Sequence, residues 1–157
     1  MIYNVISMLT LCPVWLFTRS VRAEYIWVWS GWMRGGQVVL LCAAAVLFVL
    51  AARRYDMKIF LGIVPMEHGI SSMGLDTGGV LALVRHPWYL AGLLLVWARD
   101  LTLADVLVNL VIVIYLWFGS LLEERKLVRA YGEAYRRYQR RVSILIPWRW
   151  WYKGLGE

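Results

Sequence analysis

An all-α, polytopic integral membrane fold, with about four transmembrane helices and a C-terminal cytoplasmic helix, is predicted by three features of this sequence. Hydrophobic residues make up 61% of the 157 positions, ten of them Trp, and the mean hydropathy is +0.60. That is more apolar side chain than a water-soluble domain of this length carries. Three stretches hold no charge at all: residues 1–18, 37–52 and 106–122. Finally, the cationic residues gather after the last of these, at Arg125, Lys126, Arg129, Arg136, Arg137, Arg140 and Arg141. Residues 1–157 are expected to form a single membrane domain.

Residues 1–18 make about 27 Å of helix, close to the roughly 30 Å hydrocarbon core of a bilayer, and are the first expected span. Asn4, Ser7, Thr10 and Pro13 suit a face turned toward other helices. No Lys or Arg precedes this run, so it is expected to stay rather than be cleaved as a signal peptide. Residues 19–36 carry Tyr25, Trp27, Trp29 and Trp32, an aromatic density suited to the headgroup level, and read as an interfacial or re-entrant piece. Residues 37–52 are the second span, ended by Arg53-Arg54, with Ala43, Ala44 and Ala45 permitting close helix approach. Residues 1–54 thus hold the N-terminal spans. Residues 55–84 read as a Gly-rich loop carrying Glu67 and His68. Its Gly74, Gly78 and Gly79 do not make a nucleotide-binding fingerprint.

Arg85-His86-Pro87-Trp88-Tyr89 follows. Proline is tolerated in the first turn of a helix, so Pro87 is expected to start a helix over residues 88–98. His86 then stands at the helix entrance, beside unpaired N–H groups and the positive end of the dipole. Two readings fit: a ligand-binding corner, or cationic residues marking a membrane boundary. Only 13 residues separate Arg85 from Arg99, about 20 Å of helix and too short to cross a bilayer. Either the bilayer thins or the motif lies below the membrane surface, in a polar pocket at headgroup depth.

Asp105 is expected to cap the next helix, and residues 106–122 return across the membrane to complete a hairpin. Glu123-Glu124 stand directly at its end, an anionic counterpart to the earlier motif. Steps of four, three, four and three from Glu124 reach Val128, Tyr131, Tyr135 and Tyr138, one stripe of a helix continuing beyond the membrane. The plainer reading of the tyrosines is packing of that helix against its own protein.

With both termini and residues 53–85 cytoplasmic, Arg19, Arg22, Arg34 and Arg99 lie outside and the other 13 of the 17 cationic residues lie inside, the expected asymmetry. A basic stretch beside an apolar span points to the cytoplasmic face and anionic lipid, not to nucleic acid. Cys12 and Cys42 fall in apolar runs without metal-ligand spacing, so they read as buried thiols and no metal site is expected.

Arg85-His86-Pro87-Trp88-Tyr89, Glu123-Glu124, Tyr131-Gly132-Glu133-Ala134-Tyr135, Tyr138 and Arg141-Val142 running to Pro147 together resemble the isoprenylcysteine carboxyl methyltransferase family, with phospholipid N-methyltransferases as more distant relatives. The resemblance covers residues 79–147; the first 70 or so match only as generic spans. It implies a multi-pass membrane enzyme using S-adenosylmethionine, with its active site facing the cytoplasm and a lipophilic small molecule or membrane lipid as acceptor. It makes residues 85–147 a cofactor-binding hairpin and tail. His86, Pro87 and Tyr89 would line the adenosine side of the cofactor, and Glu123 and Glu124 its amino-acid end. Gly79, Val84 and Tyr135 complete the implied cofactor set, and Arg85 and Arg141 the implied catalytic one.

Physical chemistry is compatible with this. The cofactor carries an ammonium and a sulfonium, which carboxylates and tyrosine faces complement. Methyl transfer is an in-line displacement that needs alignment more than acid or base. Val80, Leu81 and Ser143 depart from the family's usual Pro, Tyr and Pro, differences that bear on the acceptor more than on the cofactor.

Two other classes remain. Membrane sterol-type reductases that use NADPH resemble the same architecture and share an Arg-His-Pro-x-Tyr motif. They commonly have Asn before the Tyr and an acidic residue after the next Gly, where this chain has Trp88 and Leu93. A non-enzymatic scaffold binding anionic lipid accounts for the arginines and the tryptophans at 148–151, but not for Glu123-Glu124 or His86-Pro87.

Overall fold

In the computed structural model, residues 24–54 and 75–148 are described, together with Pro13 and Leu16. The span expected over residues 1–18 lies almost wholly outside the described residues, as do Glu67, His68 and Gly74. Five helices and two short strands are described: β1 (Tyr25–Trp27), α1 (Met33–Ala52), α2 (Val80–Leu83), α3 (Pro87–Trp97), β2 (Leu101–Thr102), α4 (Leu103–Tyr131) and α5 (Glu133–Arg141).

Two of these helices, α1 and α4, are long and apolar enough to cross a membrane. The 20 residues of α1 make about 30 Å. With 29 residues, α4 reaches about 44 Å and so runs past one side of a roughly 30 Å core. On α4, Leu107, Val111, Ile114 and Phe118 are exposed at helical spacing, an apolar stripe of the kind that a membrane-crossing helix turns to lipid. The shorter α3, 11 residues, does not cross by itself. It packs along α1, where Phe48 meets Trp88 edge-to-face at 5.4 Å, with Ala91 fully buried and Ala44 and Ala51 all but closed off on the α1 side.

At the α3–α4 turn the chain is stitched by polar contacts. Thr102, not Asp105, is the N-cap of α4: its hydroxyl accepts from the Asp105 N–H while the Asp105 carboxylate accepts from the Thr102 N–H, a capping box. The expectation erred by three residues because Asp105 takes the reciprocal role at the third helical position. Asp105 also pairs with Arg99 at 2.9 Å. Trp29 donates its N–H to Asp100 at 2.8 Å, Gln37 donates to the Ala98 carbonyl at 3.2 Å, and Asn109 donates to the Val96 carbonyl at 3.0 Å. The tryptophan-rich piece adds a feature that the all-α expectation lacks: β1 pairs antiparallel with β2, Tyr25 opposite Thr102 and Trp27 opposite Leu101. Aromatic residues favour a strand where a second edge is available, and the turn supplies that edge.

At the opposite end, the single helix expected to run from Glu124 to Tyr138 is broken. Gly132, at φ +57° and ψ −131°, ends α4 and begins α5, in a region of backbone space that side chains exclude. Helix α5 folds back, and the tail after it lies against the Arg-His-Pro segment. There Arg85 and His86 donate their N–H groups to the Ser143 and Ile144 carbonyls at 3.0 and 3.1 Å.

Candidate active site

Four segments meet at this end: the entrance to α3, the last polar turns of α4, the inner face of α5, and the tail. Pro87 occupies the first turn of α3, and His86 precedes it at φ −122° and ψ +70°, outside the helical region that a following proline disfavours. With their N–H groups tied to the tail, Arg85 and His86 have one backbone setting, and both side chains point at Glu123-Glu124.

Glu124 is buried, and four donors converge on its two oxygens. Arg85 donates to Oε2 at 2.6 Å, Tyr135 donates its hydroxyl to Oε1 at 2.8 Å, and Gln139 donates its amide to Oε2. The His86 Nε2 lies 3.2 Å from Oε1. Such a pattern belongs to an ionised, acceptor-only carboxylate. The Tyr135 bond is what the chain break makes possible. On an unbroken helix the two residues, 11 apart in sequence, would stand about 16 Å from each other along the axis.

Glu123 differs. Its side chain is 41% exposed; it accepts the Tyr89 hydroxyl at 2.9 Å and faces the His86 Nδ1 at 3.4 Å. His86 therefore bridges the two carboxylates, one ring nitrogen to each, and its ring stacks on Tyr89 with centroids 5.3 Å apart and planes within 8°. Burial is the largest influence on its titration and disfavours the charged ring. The hydrogen bonds and charges of Glu123 and Glu124 together outweigh it and hold the His86 pKa above the usual 6.5. Burial and the adjacent Glu124 charge push the Tyr135 phenol far up, so it stays a donor.

Of the sequence-predicted residues, Arg85, His86, Tyr89, Glu123, Glu124 and Tyr135 come together in one network, with Pro87 and Val84 buried as its wall. Val84 bridges to Ser143 across the tail. Two stand apart. Gly79, at φ +55°, packs on Arg54, where a Cβ would come within 2.8 Å of the guanidinium; its glycine has a conformational and steric reason. Arg141 is exposed and lines a separate cavity of about 480 Å³ with Arg137, Tyr138, Leu83 and Ser143. Sequence reasoning missed Gln139, although it follows Tyr135 by one helical turn and the same spacing rule reaches it. The Ser143 and Ile144 carbonyls left no signal, since any residue supplies a carbonyl.

No family model matches the chain, and no solved structure matches it. Curated relatives do. It is 46% identical to methanethiol S-methyltransferase 1 of Bradyrhizobium diazoefficiens over 67 residues, 42% of this chain and 24% of the relative. It is 41% identical to the methanethiol S-methyltransferase of Pseudomonas deceptionensis over 66 residues, 41% of this chain and 25% of the relative. With the enzyme of that name from Pseudomonas sp. (strain GM41(2012)) it shares 32% identity over 127 residues, 80% of this chain and 46% of the relative. The chain thus spans less than half the length of these relatives. It is a relative of the methanethiol S-methyltransferases, which belong to the isoprenylcysteine carboxyl methyltransferase family.

Proposed function

We propose that this chain carries out S-adenosylmethionine-dependent methyl transfer to a small lipophilic acceptor, a thiol in the first instance, from a multi-pass membrane position with the carboxylate network on the cytoplasmic side. Glu123 is the observation that carries the reading. It is an acidic side chain, 41% exposed, at the rim of a buried polar network and beside the stacked rings of His86 and Tyr89. Anionic rim and flat aromatic platform fit a ligand that joins an ammonium, a sulfonium and an adenine. The names of the relatives point to a methyl donor and to a thiol acceptor.

When bound, the donor would supply a methyl on a sulfonium: the acceptor, reacting as the thiolate with its proton released to solvent, would gain the new S–C bond as the donor S–CH3 bond breaks, leaving a neutral thioether. Glu123 would pair with the donor's ammonium. Glu124, saturated from within the protein, sets the positions of Arg85, His86, Tyr135 and Gln139. With carboxylates facing both ring nitrogens and its pKa held above the usual value, His86 is biased toward the charged ring, which donates to Glu123 and Glu124. Of the two arginines implied for catalysis, Arg85 is committed to Glu124. Arg141, with no acidic partner among the described residues, is the one left to favour a thiolate over a thiol, as cations near a sulfur do.

The test uses the protein in lipid nanodiscs with methyl-labelled S-adenosylmethionine. Label is expected in dimethyl sulfide when methanethiol is supplied. Label in a membrane lipid extract, and none in the thioether, replaces the thiol by a lipid acceptor. Failure to bind S-adenosylmethionine in calorimetry overturns the reading.

A further inference from the structure

On the outer side of Glu124 the α4–α5 junction forms a second concavity, about 430 Å³, lined by Leu121, Glu124, Arg125, Val128, Arg129 and Gln139. Arg125 and Arg129 stand one helical turn apart, both exposed, and neither has an acidic partner among the described residues. This contrasts with Arg136 and Arg140, which share Glu133 at 3.8 and 2.8 Å. The one carboxylate in the wall, Glu124, is already engaged by Arg85 at 2.6 Å and by His86 at 3.2 Å, so the two free guanidinium groups set the sign of the field.

Depth identifies the ligand. Leu121 and Leu122 are exposed and close the uncharged run over residues 106–122, and Arg125 begins the next turn. If α4 spans the membrane, which this inference takes from the reading above, the pair sits where phospholipid phosphates lie. The apolar stripe of Ile114, Phe118 and Leu121 runs below it along the acyl chains. Guanidinium groups bind phosphate oxygens in a forked geometry that other cations do not match.

We infer that Arg125 and Arg129 form a site for the phosphate of an anionic phospholipid, seated at the α4–α5 junction. The site shares a wall with the carboxylate network through Gln139, which donates to Glu124 while lining the concavity. Occupancy therefore steadies the junction on which Glu124 is mounted. A soluble anion lacks the apolar half of the contact.

Binding is read without any methyl transfer, so failure here is distinct from failure of the enzymatic reading. The full chain is placed in nanodiscs of phosphatidylcholine with a minor share of phosphatidylglycerol, and the lipids retained on the protein are measured by native mass spectrometry. Wild type is expected to retain phosphatidylglycerol in excess of its share. The Arg125→Gln/Arg129→Gln double variant is expected to lose roughly ten- to thirtyfold of that preference, the order for two cations at an anionic surface. Arg136→Gln/Arg140→Gln, which removes the same charge from α5, is expected to keep it. No excess in wild type, or equal loss in both variants, overturns the site. So does inorganic phosphate displacing the lipid at equal concentration, which would mark a soluble-anion pocket.

Discussion

At the scale of single residues, the adjacent glutamates do different work, which the sequence presents as a matched pair. Glu124 is buried and holds Arg85 at 2.6 Å; removing its charge leaves a buried cation without compensation, a loss of about 3–5 kcal/mol. Glu124→Gln is therefore expected to lower the melting temperature in nanodiscs sharply. Glu123→Gln changes a half-exposed group and is expected to leave melting nearly unaltered, while weakening S-adenosylmethionine binding roughly ten- to hundredfold, the worth of a charged hydrogen bond. Equal melting losses in both variants would contradict this division. His86 adds a pH signature. Its pKa is raised in the folded protein above 6.5, so the stabilisation from its charged contacts is complete below that value and disappears as pH rises through the raised one. The melting temperature of wild type is expected to fall over that interval more than that of His86→Asn. Parallel pH curves for the two proteins would show that the ring does not titrate between the carboxylates.

At the scale of elements, the pieces with a one-dimensional signal were readable and those set by tertiary contact were not. Uncharged runs gave α1 and the apolar part of α4, and Pro87 gave the start of α3, because length, charge and a missing N–H act locally. The β1–β2 pairing was not legible, since it depends on residues far apart in sequence sharing one turn. The break at Gly132 was overlooked because a period of four and three counts through a glycine as if the helix went on. Yet that break decides the site, since it swings Tyr135 and Gln139 back onto Glu124. Ala at position 132 meets no atom within 4 Å, so its cost is the backbone alone, about 1–3 kcal/mol for a side chain at such φ and ψ. Gly132→Ala is expected to lower the melting temperature and to misplace α5, with loss of cofactor affinity. Gly119→Ala, within α4 and equally open, is expected to be neutral or slightly stabilising, as alanine is in a helix interior. Matching behaviour of the two variants would remove the left-handed turn from the account.

At the scale of the molecule, polar residues are separated to two ends with an apolar length between them. One end is the capping box of Thr102 and Asp105 with the Arg99 ion pair. The other holds Arg85, His86, Glu123, Glu124 and the basic helix α5. The helices α1 and α4 connect these ends, and their exposed side chains are predominantly apolar. Cationic residues concentrate at the second end, and the rule that Lys and Arg stay on the cytoplasmic side is what supports the proposed inward orientation of that end. Under the proposed function, a water-soluble methyl donor would reach Glu123 from the cytoplasm, while a lipophilic acceptor would arrive within the bilayer. The orientation is open to direct measurement in cells expressing a variant without Cys12 and Cys42. Ser30→Cys, exposed just before α1, is expected to react with a membrane-impermeant maleimide added outside. Arg137→Cys, exposed on α5, is expected to react only after permeabilisation. The reverse pattern would place the carboxylate network outside and separate it from the intracellular methyl donor. Labelling of both positions from outside would mean that α1 and α4 do not lie across the membrane.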